Sequence, residues 1–288
     1  MKVWVNGELV NKEEAAISVF DHGVLYGNGV FEGIRIYSGK IFRCAAHMDR
    51  LFTSAEGIRL PVPLTKQEIV DAMVETIAAN GITDGYIRLV VTRGPGTLGL
   101  NPFKCTNPTV FIIADQIELY PPHMYETGLD VIIAKTRRMS HKMLTPTVKS
   151  CNYLNNIMAR IEAVDAGAAE AIMLNADETV AEATGDNVFI VSDGTVITPP
   201  SESCGLRGIT RQVVMDLARN MKIPLEERTV TVEQLCAADE CFLTGTAAEV
   251  IAVTKIDGRV IGSGKAGAIT KKLLDAFRQF IRKECEEK

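Results

Sequence analysis

The sequence predicts an α+β protein built from two domains, and three observations carry that reading. Segments of alternating apolar residues and segments with apolar residues at helical spacing are interspersed along the chain. A stretch without periodicity, residues 116–125, contains Pro121-Pro122 and separates two such regions. At 288 residues the chain is about two domains long, enough to bury a core and leave a cleft. The expected division is a small N-terminal α+β domain at 1–115, a linker at 116–125 and a larger C-terminal domain at 126–288.

Each element has a local reason. Residues 2–5 form a strand closed by the turn pair Asn6-Gly7. Residues 33–37 and 40–43 flank Ser38-Gly39, a two-residue hairpin signal. Residues 46–58 place Met48, Leu51, Phe52 and Ala55 on one helical face. A second helix over 65–79 opens with Thr65 and Glu68 spaced as a capping box and stops at Asn80-Gly81. Strands follow at 86–93 and 109–115. Beyond the linker, 129–135 is a strand, and 152–164 is a helix striped by Leu154, Ile157, Ile161 and Val164. Short strands at 170–175, 180–182, 188–191 and 196–198 precede a helix at 210–221 that follows a glycine-rich loop. A strand near 241–243, a hairpin around Asp257-Gly258 and an amphipathic helix at 267–284 complete the chain.

Composition narrows the function. Hydrophobic residues at 47% and charged residues at 23% are ordinary for a globular protein. With 31 Lys+Arg against 36 Asp+Glu the net charge is −5, which disfavours nucleic acid as a partner. No apolar run approaches the roughly 18 residues of a membrane span, and the start, Met1 to Gly7, turns polar too soon for a signal peptide. The seven cysteines (44, 105, 151, 204, 236, 241 and 285) are odd in number and lack a Cys-x-x-Cys pair, as expected of reduced thiols in a cytoplasmic protein. The four histidines, His22, His47, His123 and His141, have no metal-ligand spacing, so no metal site is expected.

Three places carry chemistry. Lys149 ends an extended run just before an expected helix start at 150–152. It reads either as a solvated cation or as a half-buried amine whose pKa desolvation lowers, able to form a Schiff base. Glu182 lies among small and apolar residues, Val180 to Gly185, as an edge-strand glutamate or as a buried carboxylate that needs a positive partner. Gly205-Leu206-Arg207-Gly208-Ile209-Thr210-Arg211 leads two glycines into a helix, either a loop capped by Thr210 or an anion site of free amides and a hydroxyl. Thr244-Gly245-Thr246-Ala247-Ala248 offers further amides and hydroxyls. An aldehyde-trapping lysine, a carboxylate for a ring nitrogen and a phosphate cradle together are the three demands of pyridoxal 5'-phosphate.

The ordered set Glu182-x-Thr184-x-x-Asn187-Val188-Phe189, Val196-x-Thr198 and Leu206-x-Gly208-Ile209-x-Arg211 resembles the signature of class IV (fold type IV) pyridoxal-phosphate aminotransferases. The resemblance extends through Asp21-His22-Gly23, Val30-Phe31-Glu32-Gly33-Ile34-Arg35, His47-Met48-Asp49-Arg50-Leu51, Tyr86-Ile87-Arg88 and Lys149-Ser150-x-Asn152-Tyr153 to the branched-chain amino acid aminotransferases. It implies the two-domain fold of the D-amino acid aminotransferase type, with the active site in the cleft between domains. It implies that Lys149 carries the cofactor as an imine and that Tyr153, one helical turn on, bonds its phenolic oxygen. Glu182 would face the pyridine nitrogen, and Arg50, Ile209, Thr210 and Thr246 would hold the phosphate, with Leu206 against the ring. Gly185, Asn187 and Gly208 belong to the same cofactor-binding set.

The implied substrate pocket comprises Tyr26, Phe31, Gly33, Tyr86 and Arg88, together with Thr246 and Ala247. Strand alternation puts Tyr86 and Arg88 on one face, and Arg88 would fork onto the side-chain carboxylate of glutamate. Leu98, Gly99 and Leu100 resemble the loop that reaches a neighbouring subunit's pocket, implying at least a homodimer, with a hexamer as the larger alternative. The implied reaction is ping-pong transamination of Leu, Ile or Val with 2-oxoglutarate. D-amino acid transaminases, aminodeoxychorismate lyases and (R)-amine transaminases share the class, and a non-catalytic ligand-binding relative is the alternative outside it.

Overall fold

The computed structural model describes residues 1–140, 142–145, 147–201 and 205–285, so that His141, Pro146 and Cys204 lie outside the described residues. The chain folds as two compact units, each described by itself. The first comprises Met1–Ile117, Val148–Asn152 and Lys283–Lys288, and the second Glu118–Thr147 and Tyr153–Arg282.

In the first unit, β1 (Lys2–Val5), β2 (Glu8–Asn11), β3 (Gly29–Tyr37), β4 (Lys40–Ile41), β5 (Gly85–Thr92) and β6 (Thr109–Asp115) form an antiparallel sheet in the order β2-β1-β6-β5-β3-β4. Helices α1 (His22–Tyr26), α2 (Cys44–Gly57) and α3 (Lys66–Asn80) accompany it. Ser38 and Gly39 both take positive φ, at 49° and 75°, which matches the twist of the hairpin they close. The Thr65–Glu68 capping box forms, and Gly81 ends α3 with a φ of 62°.

Strand parity divides the sheet. Val30, Ile34 and Ile36 of β3, Ile87, Leu89 and Val91 of β5, and Val110, Ile112 and Ala114 of β6 pack in one core with Met48, Leu51 and Ala55 of α2 and Ile69, Met73 and Ile77 of α3. Phe31, Gly33, Tyr86 and Arg88 have the opposite parity, with Gly33 directly across from Arg88.

The stretch around Lys149 departs from expectation. The helix expected to start near 150–152 starts later, and the stretch runs beside β3: the Phe31 N–H donates to the Lys149 carbonyl (3.0 Å), and the Cys151 N–H donates to the Gly29 carbonyl (2.9 Å). Ser150 forms a bridge with Val30. Backbone groups committed to a strand cannot also close a helical turn, so α5 begins only at Leu154. Lys149 therefore falls in the first unit, whereas the sequence division places it in the C-terminal domain.

The first element of the second unit is α4 (Pro122–Thr127), a helix that starts inside the expected linker and runs past its end at 125. Pro122 sits in the first turn, where its missing N–H costs nothing, and Gly128, with a φ of 79°, ends the helix. A mixed sheet follows: β7 (Leu129–Ile133), β8 (Glu170–Leu174), β9 (Val180–Ala183), β10 (Asn187–Ser192), β11 (Thr195–Thr198), β12 (Leu225–Glu227), β13 (Glu240–Gly245) and β14 (Glu249–Ile256). Its order is β12-β11-β10-β13-β14-β7-β8-β9, with β15 (Arg259–Val260) on β14. Helices α5 (Leu154–Asp165), α6 (Ile209–Asn220), α7 (Val232–Cys236) and α8 (Ala268–Cys285) accompany it. No helix among the described residues is long and apolar enough to cross a membrane.

Helix α5 turns its expected stripe outward. Ala159 and Ala163 pack with Ala134, Ala171 and Met173, while Leu154, Ile157, Ile161 and Val164 are 45–68% exposed. Alanines allow the helix to approach its neighbours closely, and the bulkier side chains are left on the outer face.

Candidate active site

In the first unit the Lys149 amine lies against an aromatic wall. Lys149 Nζ is 4.7 Å from the Phe31 ring centroid, and the Arg88 guanidinium is 4.5 Å from the same ring and 5.7 Å from that of Tyr86. Lys149 is half-buried, its backbone fixed by the bond to Phe31 and by its own N–H donating to Ser54 Oγ at 3.1 Å. Two cations near one ring gain from its negative face. Gly33 is needed for this arrangement, because a Cβ there would sit 1.6 Å from the Tyr86 hydroxyl. Tyr26 ends α1, and its hydroxyl accepts the Gly99 N–H at 3.0 Å. That bond ties the 98–100 loop to α1, with Leu98 and Leu100 exposed beside it.

On the core-side parity of β3 lies a charged cluster in which Arg50, expected at the phosphate, joins Glu32 and His47, to which the sequence reading gave no role. Glu32 is fully buried and accepts from Arg50 twice, from Nε to Oε1 (2.8 Å) and from Nη2 to Oε2 (2.7 Å). His47 Nδ1 lies 2.7 Å from Glu32 Oε2. Burial alone would raise the Glu32 pKa, but Arg50, aided by His47, overcomes it and holds the carboxyl at about 2. Burial lowers the His47 pKa against the pull of Glu32, and the charges of Arg50 and Lys149 lower it further. His47 is thus a neutral imidazole donating to a carboxylate at neutral pH.

In the second unit Glu182 has the positive partner its environment demands. It is buried on β9, with Arg138 Nε donating to Oε1 at 2.6 Å and the Leu206 N–H donating to Oε2 at 3.0 Å. Asn155 accepts from the Met139 N–H (3.1 Å) and donates to the Arg137 carbonyl (2.9 Å), which fixes the turn that presents Arg138. A Cβ at Gly205 would come 2.4 Å from Glu182 Oε2, and one at Gly208 would come 2.0 Å from Asn187 Oδ1. Asn187 Nδ2 also donates to the Leu206 carbonyl at 3.1 Å. The glycine loop is thereby held between Glu182 and Asn187, and it delivers the start of α6.

Gly208 is the N-cap of α6 and provides no side-chain cap for the first-turn amides of Ile209 and Thr210. Arg211, buried in the same turn, is turned away to Glu227 and the Pro199 carbonyl. Thr246 and Ala247 occupy the half-buried turn between β13 and β14, next to Thr244, whose buried hydroxyl has no hydrogen-bond partner among the described residues. Gly185 is exposed in the turn after β9. Tyr153 is the N-cap of α5, not a residue one helical turn beyond Lys149, because the intervening backbone is committed to β3.

The structure thus brings together Phe31, Gly33, Tyr86, Arg88 and Lys149 in one unit, and Glu182, Asn187, Leu206, Gly208 and Ile209 in the other. Sequence reasoning missed Arg138, Glu32 and His47. A signal existed for Glu32: it shares the parity of Val30, Ile34 and Ile36, so alternation alone aims it at the core.

The Amino-transferase class IV family model matches residues 29–256. A putative branched-chain-amino-acid aminotransferase of Methanocaldococcus jannaschii is 48% identical over 98% of this chain and 97% of its own. The crystal structure of the Escherichia coli branched-chain amino acid aminotransferase superposes with a TM-score of 0.95 at 35% identity, covering 100% of this chain and 96% of that one. The T.th. branched-chain amino acid aminotransferase complexed with N-(5'-phosphopyridoxyl)-L-glutamate does so with a TM-score of 0.92 at 34% identity, covering 100% and 95%.

Proposed function

We propose that this chain, which belongs to the class IV aminotransferase family, moves amino groups between L-branched-chain amino acids and 2-oxoglutarate, with pyridoxal 5'-phosphate as cofactor. The observation that carries the substrate reading is the Phe31 ring, which has an amine at 4.7 Å and a guanidinium at 4.5 Å. An apolar wall beside an arginine fork suits a substrate whose side chain is aliphatic in one half-reaction and a carboxylate in the other. A relative crystallised with a phosphopyridoxyl-glutamate adduct supports both the cofactor and glutamate as the shared donor.

The donor set fits the cofactor. The uncapped amides at the start of α6 suit a phosphate, as does the Thr210 hydroxyl. The buried Thr244 hydroxyl beside Thr246 leaves one more polar group to be satisfied. When bound, pyridoxal phosphate supplies an aldehyde and an electron-withdrawing ring. Lys149 would hold the cofactor's aldehyde carbon, and its Nζ would move the proton at the substrate α-carbon. Glu182, oriented by Arg138, would face the pyridine nitrogen. Arg50, Ile209, Thr210 and Thr246 would hold the phosphate, Leu206 would pack on the ring and Tyr153 would bond the phenolic oxygen. Asn187, Gly185 and Gly208 shape the loop. Arg88 receives the glutamate side chain, with Tyr26, Phe31, Gly33, Tyr86 and Ala247 as walls.

The working form proposed is at least a homodimer, to which Leu98, Gly99 and Leu100 contribute a reaching loop. The exposed apolar face of α5 supports self-association. The free state of Cys44, Cys105, Cys151, Cys236, Cys241 and Cys285 supports residence in the reducing cytoplasm.

A coupled assay with 2-oxoglutarate tests the reading. L-leucine, L-isoleucine and L-valine are expected to turn over, D-alanine and (R)-amines are not, and Lys149→Ala should lower the rate by more than roughly 1,000-fold. Borohydride should fix the chromophore covalently at Lys149 in the purified protein. Leucine turnover by Lys149→Ala at the parent rate would overturn the proposal.

A further inference from the structure

We infer that Glu32, steadied by His47, is a positioning residue that fixes the Arg50 guanidinium for the cofactor's phosphate. The inference rests on the cofactor reading above and extends it to two residues that reading leaves without a role. A carboxylate at position 32 is hard to explain as stabilisation. It sits at a core parity occupied along the same strand by Val30, Ile34 and Ile36, and buried ion pairs rarely stabilise more than a well-packed apolar residue would.

Its geometry is specific. Both oxygens are engaged, one guanidinium edge (Nε and Nη2) is gripped at 2.8 and 2.7 Å, and His47 supplies a third contact at 2.7 Å. Arginine carries five donors in one rigid plane, so gripping the Nε/Nη2 edge sets the direction of the Nη1 edge as well. The grip is well protected: side-chain exposure is 12% for Arg50, 0% for Glu32 and 1% for His47. An arginine held in this way meets an anion without first giving up the rotamer freedom that a loose one has. The ion pair lies on the strand parity opposite Phe31 and Arg88, away from the residues proposed as walls for the amino-acid side chain.

The test compares two probes on the apoprotein, pyridoxal 5'-phosphate and pyridoxal, which lacks the phosphate. Dissociation constants are read from the absorbance of the bound chromophore. Glu32→Gln keeps the shape but removes the charge. It should weaken pyridoxal phosphate binding at least tenfold, leave pyridoxal binding within twofold, and add nothing further in an Arg50→Met background. A residue with only a structural role would weaken both probes alike, or neither, and either result overturns the inference. Should Glu32→Gln fail to fold, His47→Leu decides the matter, with a selective loss of about threefold expected and an equal loss for both probes refuting the role. Parent protein that binds neither probe would overturn the cofactor reading as well, whereas parent binding without selective loss in the variants overturns this inference alone.

Discussion

Burial raises a carboxyl group's hold on its proton, and at Glu32 the Arg50 guanidinium reverses that effect, leaving the pKa at about 2 against an ordinary 4.5. The sign follows from linkage. The carboxylate stabilises the folded state fully above about 4.5, and the contribution is lost as pH falls towards about 2. That interval corresponds to about 3 kcal/mol. His47 acts in the same direction, since a buried imidazole held neutral loses stability once pH drops below 6.5, where the unfolded chain takes up a proton. Glu32→Gln should therefore flatten the acid limb of the stability curve between pH 4.5 and 2, read from urea midpoints across that range. A parent-like slope would show that the buried group is not ionised. At this scale the sequence exposes chemistry only where residue type and neighbours are unusual together. Lys149, Glu182 and Thr210 stand out in that way. Arg138 does not, because its partner is 44 positions away and only the fold makes them a pair.

Elements were most legible where a short-range rule decides them. The Ser38-Gly39 hairpin and the Thr65 capping box follow from backbone sterics and local bonding, and both are present. Where tertiary packing decides, periodicity misleads. The stripe Leu154, Ile157, Ile161 and Val164 is a genuine apolar face, but the sheet side of α5 is filled by Ala159 and Ala163. The helix expected to start near 150–152 starts at Leu154 for a related reason, since β3 competes for the same backbone groups. At the start of α6 the decisive residue is Gly208, where a Cβ would stand 2.0 Å from Asn187 Oδ1. Gly208→Ala must displace Asn187 from the Leu206 carbonyl, at a cost of about 1–3 kcal/mol in stability. It should also weaken cofactor binding by roughly tenfold through the misplaced first-turn amides. Equilibrium titration beside a thermal melt checks both, and unchanged cofactor affinity would remove this helix start from the phosphate site.

For the molecule as a whole, the outer face of α5 bears on assembly. Ile157 and Ile161 are 50% and 45% exposed, with Leu154 and Val164 above 60% on the same helix. A contiguous apolar face of this kind is costly to leave in water and is the kind of surface that copies of a chain cover for one another. Ile157→Lys with Ile161→Lys should shift the mass seen by light scattering from an oligomer to a single chain while leaving the fold's circular dichroism intact. An unchanged mass would assign self-association to another surface, the Leu98–Leu100 loop being the next to test.

The bond between residues 148–152 and β3 also sets a timetable for synthesis. A ribosome that has released Ile117 has made all six strands of the first unit's sheet, yet the Phe31 amide must wait for the carbonyl of Lys149 to emerge. The first unit cannot close its edge during translation until about half of the polypeptide exists, and Glu284, which bonds the Arg43 amide, comes almost last. The nascent edge and the Lys149 amine are therefore completed in one event, so a truncated chain that lacks one lacks the other.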